Sequence, residues 1–162
     1  MSNLGFSVCE SQYVAFCNND LYFEKNWARN AINAMRGYEY LSVSPTVKHK
    51  FVGVKEGYYI GKTLLGWCII IDRVVMDKIG WLDCPVNFWY SDNVYAVQLE
   101  LAGIKHALVG DSKVKHFTSS SLRKVTNAKE RLEMQKGQER LFNEYKKKKY
   151  AYSGIEIKAK KS

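Results

Sequence analysis

The chain's apolar residues fall in short β-prone runs separated by stretches with helical spacing, and this alternation limits its fold more than any other feature. The runs YVAFC (13–17), LSVS (41–44) and WCIII (67–71) are too short for helices and have the composition of strands. YVAFC is apolar throughout, as a strand buried on both faces would be. Between the first two runs, Trp27, Ala28, Ala31, Ile32 and Met35 recur at three- and four-residue steps. That spacing predicts a helix over 26–35 closed by Gly37, and Pro45 is expected to stop the strand that follows. Asp72 is placed to cap a helix over 73–79 ended by Gly80. Ser91 or Asp92 can cap another that runs through Val97 and Leu101 to Gly103. KHALV and KVKHF read as two short strands around the turn GDS. The expected fold class is α/β, a mixed, mostly parallel sheet flanked by helices.

With 162 residues, of which 46% are hydrophobic and 25% charged, the chain can bury one sizeable core. No apolar run approaches the roughly 20 residues that span a bilayer, and no basic start followed by an apolar stretch marks a secretory signal. Cys9, Cys17, Cys68 and Cys84 form no CxxC pair and no metal-finger spacing, so a reduced, cytoplasmic setting is expected. From Arg123 onward there are 13 Lys and Arg against 5 Asp and Glu, or +8, which leaves only +1 of the total +9 for the rest. The organisation read from this is a near-neutral body over 1–121 and a basic helical extension over 122–162. Leu122, Val125, Ala128, Leu132, Leu141 and Tyr145 form the extension's expected apolar stripe, interrupted by Gly137. Residues 46–63, rich in Lys, Gly and Tyr, read as a long loop or loose hairpin, the kind of segment that carries function.

Asn18-Asn19-Asp20 closes the first strand. Such a cluster builds a turn, since these side chains bond nearby backbone, or it offers oxygen ligands on a rigid edge. Asp92 alone reads as a helix cap and His116 as a strand-end histidine, while Asp83 and Trp67 suit capping and packing. In sheets covered by helices, however, ligands bind beyond the strand ends. Asn18-Asn19-Asp20, the segment from Gly66 and the aromatic stretch before Asp92 all map to one such edge.

In order along the chain, YVAFCNND, GWCIIIDRVVMDKIGWLD and FWYSDNVYAVQLELAGIKHALVGDSKVKHFTSSS resemble the second half of family-2 glycosyltransferases of the GT-A fold. The likeness covers roughly residues 13–121. It implies metal-dependent, inverting transfer of a sugar from a nucleotide-diphosphate donor to an acceptor hydroxyl. By the resemblance, Asp20 and His116 would bind Mn or Mg, a histidine ligand favouring Mn, with Asn18 a neutral donor at the first motif position. Asp92 would take the acceptor's proton, and Asn19, Gly66, Trp67 and Asp83 would border the substrates. Ser91 stands where the family has the first acid of a pair. NLGFSVCES is similar to a shortened form of the family's N-x-G-F segment, so the resemblance implies a domain truncated at its N-terminus. Either a second chain would then supply the nucleotide-binding half, or the truncated domain would bind its donor poorly, or it would serve as a structural piece. Two other functions stay open, a non-catalytic interaction subunit derived from the fold, and nucleic-acid binding through the basic tail, which lacks a base-reading element and is disfavoured.

Overall fold

The computed structural model describes residues 3–47, 51–87, 89–117 and 127–153. Its elements are α1 (Asn3–Ser7), β1 (Tyr13–Cys17), β2 (Leu21–Phe23), α2 (Trp27–Tyr38), β3 (Ser42–Thr46), β4 (Val54–Glu56), β5 (Cys68–Asp72), α3 (Val74–Ile79), α4 (Ser91–Leu101), β6 (His106–His116) and α5 (Ala128–Ser153). The fold is mixed α/β, with one six-stranded mixed sheet in the order β1-β5-β3-β6-β2 and β4 also on β6.

The sheet is mostly antiparallel, which corrects the expectation of a mostly parallel one. Of the five pairings only β3·β6 is parallel. Sequence alternation suggests that each helix joins adjacent parallel strands. Here α2 joins β2 to β3, and α3 with α4 joins β5 to β6, yet neither pair is adjacent in the sheet.

β1 and β2 end the strand order on opposite sides, yet only residues 18–20 separate them. A flat sheet would hold end strands about 19 Å apart, whereas that link covers about 14 Å at full stretch. The sheet therefore curls until its two ends nearly meet. The Asn18 N–H donates to the Trp67 carbonyl at 2.8 Å, and the Phe117 N–H donates to the Asp20 carbonyl at 2.9 Å, which ties the link to both sides.

β5 is covered on both faces. Ile69 and Ile71 pack with Val75, Tyr95 and Leu99, while Ile70 packs with Ala31, Met35 and Val43. β1 is an edge strand instead, with Ala15 and Cys17 exposed, so its uniformly apolar sequence overstates its burial.

Several local expectations need correction. α2 runs through Gly37, and Glu39 takes the left-handed cap at φ 57°. β3 continues through Pro45, where its register on β6 jumps from Val109 to Lys113. β6 is one continuous strand, because its turn-like residues are held from outside. The Asn30 side-chain amide donates to the Asp111 carbonyl at 2.7 Å, and the Ser112 hydroxyl donates to the Trp27 carbonyl at 2.7 Å. The loop over 46–63 contains β4. Asp72 is not the cap of α3, a position Arg73 holds, but its carboxylate accepts from the Val74 N–H at 3.0 Å.

α5 begins with an Asn127–Glu130 capping box, the Glu130 N–H donating to Asn127 Oδ1 at 2.9 Å. Its buried residues are Phe142 and Tyr150, packed with Val94 and Val97 of α4, whereas Leu132 and Leu141 are exposed. The expected stripe is thus replaced by an aromatic one that keeps only Tyr145. Leu122 and Val125 of that stripe, and the tail over 154–162, lie outside the described residues. Among the described residues no helix is long and apolar enough to cross a membrane.

Candidate active site

A cavity of about 470 Å³ opens where the curled sheet's ends meet. Asn18, Gly66, Trp67, Asp83, Asp92 and His116 all line it. Asp20 is absent from the lining but touches His116, and Asn19 is exposed and outside it.

The β2–β6 ladder sets the first pair. Leu21 lies opposite His116, so Asp20, one residue earlier, stands diagonally across from it. His116 Nε2 and Asp20 Oδ1 are 3.2 Å apart. Both atoms are buried, and among the described residues they face each other as an ion pair with no further hydrogen-bond partner. So placed, the imidazole nitrogen and the carboxylate oxygen can pair directly or share a divalent cation. Ligands about 2.1 Å from one ion and at right angles stand about 3.0 Å apart. Among the described residues no group of three or more His, Cys, Asp or Glu gathers. An ion held by Asp20 and His116 would need further ligands from water or a bound molecule. Trp67 stacks on the His116 ring at 5.4 Å between centroids and fixes its plane.

Asp92 lines the cavity from the first turn of α4, packed against Gly66. A Cβ built on Gly66 would lie 2.6 Å from Asp92 Oδ2 and 2.7 Å from Asp92 Cβ, so only glycine admits the aspartate here. Asp92 is not the helix cap. Tyr90 holds that position at φ 69° with no side-chain capping bond. A non-glycine residue in that region costs about 1–2 kcal/mol and marks strain beside a site. Burial pushes the Asp92 carboxyl above its ordinary 3.8, outweighing the N–H of Asn93 and its own N–H. A helix N-terminus favours an ionised carboxylate, but desolvation dominates here.

Asp83 faces the cavity but is engaged elsewhere. Tyr145 OH donates to its Oδ2 at 2.6 Å, and Lys149 Nζ lies 2.8 Å from the same oxygen. The sequence reading assigned Asp83 to substrate and missed both partners. Their four-residue spacing on one helix face was the available signal. α5 also stacks Phe142 on Tyr90 at 5.6 Å, so it straps two cavity residues in place.

The remaining wall comes from the segment before β5, including Ile60, Gly61 and Leu65. A buried polar chain positions it. Tyr95 OH lies 2.9 Å from Ser42 Oγ, which lies 2.7 Å from His106 Nδ1. His106 Nε2 faces the Thr63 carbonyl at 3.3 Å, and the Leu65 N–H donates to Ser44 Oγ at 3.0 Å. Burial lowers the His106 pKa to about 3, so the ring is neutral and structural.

A scan against protein-family models finds no match to this chain, and a search of curated proteins finds none.

Proposed function

We propose that the cavity is the catalytic cleft of a glycosyltransferase of the GT-A type, one that transfers a sugar from a nucleotide-diphosphate donor to an acceptor hydroxyl with inversion. The observation that carries the reading is the buried Asp20 Oδ1–His116 Nε2 pair, whose histidine lines the cavity together with Asp92. A divalent ion held there would neutralise the charge that develops on the departing diphosphate.

The chain's own residues supply the rest. Asp92 accepts the acceptor's proton as its oxygen attacks, and burial raises its basicity for that task. Gly66 leaves room for the carboxylate, and Trp67 holds the His116 ring while offering the cavity an apolar face. A second chain would hold the nucleoside in this reading.

The attachment of Asp83 to Tyr145 and Lys149 favours a second reading, a non-catalytic subunit whose former substrate aspartate now anchors α5. Thermal denaturation with manganese and a panel of nucleoside diphosphates separates the two. Ligand at about 100 times its dissociation constant stabilises by roughly 2.7 kcal/mol. The transferase reading expects a rise in melting temperature that Asp20→Ala abolishes, and no rise with any diphosphate sinks it.

A further inference from the structure

Cys17 and Cys68 stand directly opposite one another on β1 and β5, and their sulfurs are 3.3 Å apart. Both are free thiols, Cys17 exposed on the edge strand and Cys68 buried. The ladder's phase suits a covalent bond. The Asn18 N–H donates to the Trp67 carbonyl and the Arg73 N–H to the Gln12 carbonyl, so those opposed pairs are the hydrogen-bonded ones. Counting from either, Cys17 and Cys68 occupy the narrow pair, where Cα atoms are about 4.5 Å apart, inside the roughly 4.4–6.8 Å range of disulfides.

We propose that Cys17 and Cys68 are a redox modification site, forming a reversible intrachain disulfide when the protein meets a peroxide. The exposed Cys17 sulfur, as thiolate, attacks one oxygen of hydrogen peroxide. The O–O bond breaks, leaving Cys17 sulfenic acid and hydroxide, which takes up a proton to become water. The Cys68 sulfur then displaces the sulfenic oxygen, which leaves as water with the Cys68 thiol proton. In sum, two thiols and one peroxide give one disulfide and two waters. Closing the bond brings the sulfurs about 1.3 Å nearer, within reach of side-chain rotation. The next residues along the two strands, Asn18 and Trp67, line the cavity, so the bond ties together the strands that carry them. The pairing depends on strand register alone and not on what the cavity binds. Cys84 is aimed elsewhere, at the Leu82 carbonyl 3.4 Å away.

The test treats the reduced full chain with stoichiometric hydrogen peroxide, then counts thiols and maps peptides by mass spectrometry. Two of the four thiols should disappear, with Cys17 and Cys68 joined in a peptide lighter by two hydrogens and restored by dithiothreitol. The oxidised form should melt several degrees higher than the reduced one. Cys17→Ser, on the exposed side, should abolish both effects, and the Cys9→Ser/Cys84→Ser double variant should retain them. Persistence of all four thiols overturns the proposal. So does their loss as sulfinic acid, or as crosslinks other than Cys17–Cys68.

Discussion

Gly66 and Asp92 fit against each other so closely that a methyl group on the glycine would lie 2.6 Å from the carboxylate oxygen. The Asp92 Cβ, 2.7 Å away, belongs to the backbone end of the side chain and cannot swing aside without moving α4. Gly66→Ala should therefore destabilise by about 1–3 kcal/mol, as overpacking does. In an Asp92→Gly background the same change should cost much less, a coupling that urea denaturation of the double-mutant cycle measures.

Asp92 itself is held against stability. Burial raises its folded pKa above the ordinary 3.8, so the folded state binds the proton more tightly than the unfolded chain does. Its contribution is thus most favourable at pH below 3.8 and is lost as pH rises through the raised value. At neutral pH the ionised carboxylate is a cost. Asp92→Asn should raise the melting temperature at pH 7 and leave it little changed near pH 3, and under the proposed function it should abolish sugar transfer. Melting curves at the two pH values check the sign.

The strap formed by α5 rests on few contacts. Among the described residues, removing the Tyr145 hydroxyl leaves the Asp83 carboxylate with Lys149. Tyr145→Phe should cost about 1–2 kcal/mol, the range for a half-buried bond to a charged acceptor. Hydrogen exchange should quicken over residues 138–153 before it does in β5. Uniform exchange across both would place the strap's energy elsewhere.

His106 should make the protein acid-labile. Burial holds its folded pKa near 3, well under the ordinary 6.5. Stability from the neutral ring is present above pH 6.5 and is lost as pH falls from there toward 3, with a slope of up to about 1.4 kcal/mol per pH unit. His106→Gln should flatten that slope between pH 6 and 4, whatever it costs at pH 7. An unchanged slope would assign the acid response to other groups.

The sequence carried most of the site and less of the fold. Asn18, Gly66, Trp67, Asp92 and His116 could be gathered because each sits at or beside the end of an element, where short-range pattern is informative, whereas Asp83 lies in the segment between α3 and α4. Strand direction could not be read, since an apolar pentapeptide such as YVAFC looks the same in either orientation and at an edge or a centre. Gly110-Asp111-Ser112 has turn chemistry, and tertiary bonds from Asn30 to Asp111, from Ser112 to Trp27 and between Gly110, Asp111 and Gly53 keep it extended. The engagement of Asp83 was hidden for a similar reason. Its partners lie more than 60 residues away, on a helix whose lysines obscure the aromatic face.

The central claim is that Asp20 and His116 share a divalent cation, and manganese binding tests it most directly. Titration of the protein with Mn²⁺ and a nucleoside diphosphate, followed by the electron paramagnetic resonance of the free ion, gives affinity and stoichiometry. One ion per chain is predicted, with affinity reduced at least about tenfold in Asp20→Ala and in His116→Ala and unchanged in Asp83→Ala. Equal manganese affinity in wild type and Asp20→Ala would contradict the account.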